Sequence, residues 1–396
     1  MSQSLTDPLA LLRSLEQAGL HAVIVVTGGG SQAIPHLLST PGASAVVLEC
    51  LVPYAREAID RLLGGPQESY CSSRTARRLA VLAWQRACGL GTPPAAAIGV
   101  AVTASLRTRF PKRGPHRIVV AVQRLGATTV ATVVLHKDAR SRAEEEQVAA
   151  ALLLEQLSSG GQSAGPRSGS VVLLDGEHVE IEHCSPPLAW QELLAGTRSA
   201  VHLGGGSSAT RSGTESSQVA GDPAAGLLVF PGSFDPFHEG HRQMALIAQE
   251  VAKRPIDYEL SVVNVDKPAL DYMEIQSRAA QFAGRSLWLT RAATFVEKLD
   301  IFPEGIFVMG ADTFTRLADP HYYGGSGEAA DRAVQRIARQ SRGMIVFGRE
   351  RNGVFEAPAC GDIPPPLREV THCVSEQKFR MDISSTSLRS PTAADD

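Results

Sequence analysis

Hydrophobic positions fall into short runs separated by amphipathic stretches. HAVIVV (21–26) ends at Thr27-Gly28-Gly29-Gly30, and a helix-like SQAIPHLLS follows. ASAVVLECLV (43–52) precedes AREAIDRLLG, and AAIGVAVT (96–103), HRIVVAVQ (116–123) and TVATVVLH (129–136) are further runs of strand length. Strands alternating with helices predict an α/β architecture for this half. A helix-like AEEEQVAAALLLEQL then leads into SSGGQSAGPRSGS (158–170), a weak break. VVLLDGEHVEIEH followed by LAWQELLAG reads as a hairpin and a helix. The stretch 204–226, GGGSSATRSGTESSQVAGDPAAG, offers almost nothing to bury and has the composition of flexible coil. Beyond it the alternation resumes: GLLVFPG, a helix from His241, YELSVVNV, a helix through Arg278, FVMGAD, GMIVFGRE and a final helix from Ser384. That rhythm predicts a doubly wound, Rossmann-like parallel sheet.

The expected organisation is therefore residues 1–160 as one α/β domain, 161–203 as a connecting hairpin and helix, 204–225 as a flexible linker, and 226–396 as a second α/β domain. A chain of 396 residues suits two domains of roughly 100–200 residues each. With Lys+Arg 38 against Asp+Glu 41, the formal net charge is −3, so nothing predicts binding to nucleic acid or to an anionic membrane surface. No apolar run reaches the ~18 residues of a membrane span. The N-terminus lacks a basic region followed by an apolar one, and the six cysteines include no CxxC pair. A cytoplasmic protein without disulfides or a zinc site is expected.

The densest chemistry lies in Gly226–His241, GLLVFPGSFDPFHEGH. An apolar strand runs into Gly232, Ser233 and Phe234, and His238-Glu239-Gly240-His241 opens the next helix. A strand, a glycine turn and a helix N-terminus form an anion site, because N–H groups and the helix dipole face the ligand. Two imidazoles spaced this way can reach one phosphate chain, and Gly240 permits close approach of a nucleotide. A second motif, DISSTSLR (382–389), puts Ser384, Ser385 and Thr386 at a helix start and Arg389 about one turn inside it.

GSFDPFHEGH and ISSTSLR resemble the two signature motifs of the nucleotidylyltransferase (HxGH, cytidylyltransferase-like) superfamily, over about residues 226–390. The resemblance implies transfer of a nucleotidyl group from a nucleoside triphosphate, usually with Mg²⁺, and release of pyrophosphate. By position it implies that His241 stabilises the α-phosphate, that His238 contacts the β- and γ-phosphates, and that Ser385, Thr386 and Arg389 hold the leaving pyrophosphate. Such transfer needs positioning and charge neutralisation more than a protein nucleophile. An acceptor phosphate is already anionic at pH 7, so no general base is required either.

The acceptor is addressed by the middle segment. Gly310-Ala311-Asp312 after FVM resembles the GxD element of nicotinamide mononucleotide adenylyltransferases, in which the Asp contacts a ribose. The Thr290-Arg291…Thr294-Phe295-Val296-Glu297-Lys298 block resembles a fungal and plant-type branch of the same enzymes. Lys267 is a candidate phosphate ligand, and Trp288 a candidate stacking surface for a pyridine or adenine ring. Trp288 also reads as core, Lys267 as a solvated charge, and Glu297 with Lys298 as a surface pair. The expected substrates are ATP and a mononucleotide, with nicotinamide mononucleotide foremost. A cytidylyl- or adenylyltransferase for another acceptor, and a non-catalytic pyridine-nucleotide sensor, are the alternatives.

Residues 21–158 resemble the nicotinamide-nucleotide amidase domain of CinA proteins, through TGGGSQAIPHLLSTPGASAVVLECLVPYAREAIDRLLG, IGVAVT and PKRGPHRIVVAVQ. Where that family has a nucleophilic serine, this chain has Val25, and its glycine-rich loop is replaced by Thr103-Ala104-Ser105-Leu106-Arg107. A valine cannot attack an amide. The resemblance thus implies an inactive domain with a binding, regulatory or dimerising role, through which the chain could form a homo-oligomer. Lys112, Arg113, His116 and Arg117 leave a basic cluster beside the altered loop. His178, Glu180 and Glu182 alternate along a wet strand face, and the acidic residues of RAEEE (142–146) suit a helix start.

Overall fold

The computed structural model describes residues 7–160, 171–204, 225–351, 354–356 and 363–379. They form two compact units: residues up to Ala195 together with Asp266–Ile275, and Gly196–Val265 together with residues from Gln276 onward.

The first unit begins with α1 (Pro8–Gln17), capped by the Asp7 carboxylate, which accepts from the Leu9 N–H. Then follow β1 (His21–Thr27), α2 (Ala33–Leu38), β2 (Val47–Leu51), α3 (Arg56–Leu63), α4 (Ser73–Gly89), β3 (Ala97–Ser105), β4 (His116–Arg124), β5 (Ala127–Leu135), α5 (Arg142–Ser158), β6 (Val179–Cys184) and α6 (Leu188–Ala195). The strands form one sheet in the order β2-β1-β3-β4-β5-β6, parallel across β2, β1 and β3 and antiparallel thereafter. Both faces are covered, which is why β1 and β3 read as unbroken apolar runs. Ala22, Ile24 and Val26 join a core with Leu11, Leu12 and Leu15 of α1 and Leu152 and Leu153 of α5. The opposite face meets α4, which packs on Gly99 so closely that a Cβ there would lie 2.0 Å from the Ala80 carbonyl oxygen. Val25 is in register with Ala101 on that face and is wholly buried.

The stretch 161–203 does not stand as a separate hairpin and helix: its described strands are divided between two sheets. β6 pairs antiparallel with β5, while β7 (Ala200–Leu203) belongs to the second unit. Just before β6, Glu177 is held by both Arg140 nitrogens at 2.7 Å and accepts from the Leu174 and His136 N–H groups. Burial alone would raise its carboxyl, but these donors overcome it and lower the pKa from 4.5 to about 2. Its stabilising contribution is full above its unfolded value of 4.5 and disappears as pH falls through about 2. Glu177→Gln leaves Arg140 buried without its counter-charge and is expected to cost about 3 kcal/mol at pH 7. A urea titration should show that loss, with a difference from wild type that shrinks as pH drops below 4.5.

Within the same unit, Asp266–Ile275 is fastened by Arg77 to Asp271 at 2.5 Å, by the Tyr272 hydroxyl to the Leu125 carbonyl at 2.6 Å, and by the Ala269 N–H to Gln85 at 3.2 Å.

The second unit continues with β8 (Leu228–Pro231), α7 (Glu239–Ala252), β9 (Ile256–Ser261), α8 (Tyr272–Ala280, whose first turn counts with the first unit), β10 (Leu287–Thr290), α9 (Phe295–Ile301), β11 (Ile306–Gly310), α10 (Ala311–Thr315), α11 (Gly327–Gln340), β12 (Gly343–Phe347), the pair β13 (Arg349–Arg351) and β14 (Val354–Glu356), and β15 (Thr371–Val374). Its main sheet runs β15-β12-β11-β8-β9-β10-β7. All neighbours are parallel except β7, which lies antiparallel on β10. From β10 inward, the chain order of the parallel strands is 3-2-1-4-5-6, the doubly wound Rossmann arrangement. Its switch point lies between β8 and β11, and ligands of such sheets bind there, at the carboxyl ends of the strands.

Candidate nucleotide site

The turn after β8 carries the HxGH motif. Gly232 is required because a Cβ at that position would lie 2.6 Å from the Phe234 ring. Phe234 itself has φ of 46° and is fully buried. Its ring packs edge-on against Phe230 and Phe282, at 5.5 and 5.0 Å between centroids. This burial offsets the cost of a left-handed conformation for a bulky residue.

Two side chains from α8 and the residue just past it hold the turn from the side. Arg278 donates to the Ser233 carbonyl at 2.9 Å and to the Asp235 carboxylate at 3.3 Å. Gln281 donates to the Phe234 carbonyl at 3.0 Å and accepts from the Phe237 N–H at 2.7 Å.

His238 is the N-cap of α7 and His241 stands in its first turn, with the two rings stacked at 3.8 Å. The His238 backbone N–H donates to His241 Nδ1 at 3.2 Å. Nδ1 is thereby the acceptor, which leaves Nε2 as the protonated donor of a neutral ring. Burial, and then the adjacent His238, lower the His241 pKa to about 3; burial and the Arg242 charge lower that of His238. At pH 7 the site therefore offers uncharged imidazole donors. Positive charge sits beside them on Arg242 and Arg285, both over the Phe237 ring at 5.3 and 5.4 Å.

Gly310 ends β11 and caps α10, with Asp312 half-buried in the first turn of that helix. Phe307 is in register with Val229, so the Gly310–Asp312 element and the Gly232–His241 turn leave the same edge of neighbouring strands. Gly232, Ser233, Phe234, His238, Gly240, His241, Gly310 and Asp312 are thus assembled at the switch point, Gly240 buried and Ser233 exposed.

Other expected residues stand elsewhere. Lys267 is exposed and belongs to the segment that counts with the first unit. Trp288 stacks on His202 at 4.5 Å, meets Phe302 edge-on, and donates its indole N–H to Asp257 at 3.2 Å. Thr290 is fully buried and donates to Glu259. Lys298, expected at the surface with Glu297, is buried instead. Its ammonium reaches both Glu259 oxygens, at 2.8 and 2.9 Å, and the Ala292 carbonyl at 2.8 Å. Glu297 does the exposed work alone, accepting from the Thr294 N–H at 2.8 Å at the start of α9. Ser384, Ser385, Thr386 and Arg389 lie outside the described residues.

Arg278, Gln281, Arg242 and Arg285 were not among the expected site residues. Only their positions on amphipathic helices or beside them hint at a role, and such positions are usually solvated.

In the first unit, the edge next to Gly28 is closed by its own side chains. Glu145 pairs with His116 at 2.5 Å and accepts from the Arg107 N–H at 2.6 Å, while Glu146 accepts from Ser31 and from the Gln32 N–H. Lys112 donates to Ser105 and to the Leu106 carbonyl. The acidic residues at the start of α5 therefore do more than suit its dipole. His178 and Glu180 form an exposed pair at 3.3 Å, and no three metal-ligating side chains cluster among the described residues.

No curated protein matches the chain. Solved structures similar to its N-terminal part include competence/damage inducible protein CihA from Agrobacterium tumefaciens, 23% identical over 41% of this chain and 100% of that one, with a TM-score of 0.34. A CinA superfamily protein from Escherichia coli is 18% identical over 38% of this chain and 86% of that one, TM-score 0.33. The competence damage-inducible protein A from Klebsiella pneumoniae is 16% identical over 39% and 96%, TM-score 0.33. None of the described helices is long and apolar enough to cross a membrane. The cytidylyltransferase-like family model matches residues 229–390, which span the HxGH turn and the ISSTSLR motif. The C-terminal half of this chain is a cytidylyltransferase-like domain of the nucleotidyltransferase superfamily.

Proposed function

We propose that this domain transfers the adenylyl group of ATP to a phosphorylated acceptor, nicotinamide mononucleotide, giving NAD and pyrophosphate. The observation that carries the reading is the HxGH turn at the switch point, with a neutral His241 whose Nε2–H is fixed as a donor. In the reaction an acceptor phosphate oxygen attacks the α-phosphorus. The new O–P bond forms as the bond to the β-phosphate oxygen breaks, and pyrophosphate leaves with that electron pair. His241 donates to the α-phosphate oxygens as charge builds on them, His238 lies against the β- and γ-phosphates, and the turn amides and the α7 dipole add to both.

The donor set suits phosphate oxygens better than a hard cation, since the turn carboxylate Asp235 is held by Arg278. Mg²⁺ accordingly enters as part of the ATP substrate, where it neutralises phosphate charge. Support for a mononucleotide acceptor comes from the Gly310-Ala311-Asp312 element, which leaves the same strand edge as the turn; in this reading Asp312 meets a ribose hydroxyl. The first unit contributes no amide hydrolysis in this reading, because Val25 fills the nucleophile position and is buried.

Pairing ATP and CTP with a panel of mononucleotides, sugar phosphates and alcohol phosphates tests these choices. Mass analysis should find a dinucleotide from ATP and nicotinamide mononucleotide, with no ammonia released. A different productive pair would overturn the acceptor assignment, and ammonia release would overturn the silent first unit.

A further inference from the structure

We propose that Arg278 and Gln281 are positioning residues for nucleotidyl transfer, setting the β8–α7 turn so that His241 meets the α-phosphate. This inference rests on the transferase reading above. Three backbone groups of the turn and one of its side chains are addressed by these two residues. Arg278 fixes the Ser233 carbonyl and the Asp235 carboxylate, and Gln281 fixes the Phe234 carbonyl and the Phe237 N–H.

The arrangement is directional. Arg278 supplies donors only, and it meets the two outward acceptors on either side of Phe234. Gln281 uses its amide nitrogen as donor and its amide oxygen as acceptor, so neither Glu nor Lys could replace it without losing a partner. Arg278 is 8% exposed, so its bonds to the turn are made away from bulk solvent. Between these anchors lies Phe234, whose φ of 46° is a conformation a bulky residue leaves readily when unsupported. The next helix starts at once, and the bond from the His238 N–H to His241 Nδ1 depends on where the turn delivers that peptide. Loosening the turn therefore releases the tautomer and the aim of His241 without touching the ring itself. Catalysis is sensitive to displacements of this kind, with about 1 Å able to cost about 10²-fold.

The test compares wild type with Arg278→Ala, Arg278→Lys and Gln281→Glu in the full chain. Two readouts are taken: imidazole nitrogen shifts of the free protein by NMR, and kcat and KM for ATP with nicotinamide mononucleotide. Arg278→Ala is expected to lower kcat about 10²-fold with a much smaller change in the KM for ATP, and to remove the accepting signature of His241 Nδ1. Arg278→Lys keeps the charge but loses the planar fork whose two terminal nitrogens reach the two acceptors, and should recover part of both readouts. Gln281→Glu keeps the Phe237 acceptor but loses the Phe234 donor, so it should fall between wild type and Arg278→Ala.

Normal histidine shifts together with a normal kcat in Arg278→Ala would overturn the positioning role. A general loss of the fold in Arg278→Ala shifts the decision to the Lys and Glu variants, whose unchanged shifts and kcat would overturn it equally. Altered His241 shifts with no turnover in wild type uphold the positioning of the turn and reject the transferase reading instead.

Discussion

His241→Ala is expected to lower kcat by about 10²–10³-fold while changing the affinity for ATP far less. The reason lies in the state of the ring. With its pKa lowered to about 3, His241 is neutral at pH 7 and adds no net attraction for the ground-state triphosphate. What it adds is a hydrogen bond from Nε2 that strengthens as charge accumulates on the α-phosphate oxygens, an interaction realised in the transition state. Nδ1 is already committed to the His238 N–H, so the donor is aimed before substrate arrives. The check is steady-state kinetics beside ATP binding by calorimetry. Near-normal turnover would show that the imidazole is a spectator, and a loss confined to binding would assign it to ground-state affinity.

Lys298→Met is expected to destabilise the second unit by about 3–5 kcal/mol. The substitution keeps much of the volume but strands Glu259, which is wholly buried and receives two bonds from the Lys298 ammonium besides the Thr290 hydroxyl. Removing one partner of a buried pair costs far more than the pair contributes, because the remaining charge keeps its desolvation penalty. A double variant, Glu259→Met with Lys298→Met, should therefore recover a large part of the loss. Urea unfolding of the single and double variants provides the measurement. Equal destabilisation in both would mean that packing, rather than the stranded carboxylate, sets the cost.

The sequence made the backbone of the second unit readable because strand and helix periods there are short and regularly alternated, and the doubly wound order follows from that rhythm. The HxGH turn was readable for another reason: its chemistry is contiguous, from Gly232 to His241, so spacing alone places it on one junction. Arg278 and Gln281 were not, since they reach the turn from 43 to 47 positions away and look like solvated helix residues in the sequence. Lys298 was misread on the same ground. Its partner Glu259 lies 39 residues earlier on β9, and a carboxylate inside the apolar run YELSVV was the available signal. Trp288 donates its indole N–H to Asp257 of β9 and stacks on His202 of β7, a strand that comes from before the linker to pair with β10. In the first unit, Glu145 and Glu146 suited a helix start by pattern, but their partners His116, Arg107 and Ser31 come from other elements that only the fold brings near.

Phosphorus NMR of the full chain with MgATP and nicotinamide mononucleotide tests the transferase account most directly. Pyrophosphate and a dinucleotide diphosphate signal should grow together in equal amounts, with neither forming when the acceptor is omitted. Pyrophosphate or phosphate released without the acceptor, or ATP left intact in the presence of every acceptor of the panel, would contradict it.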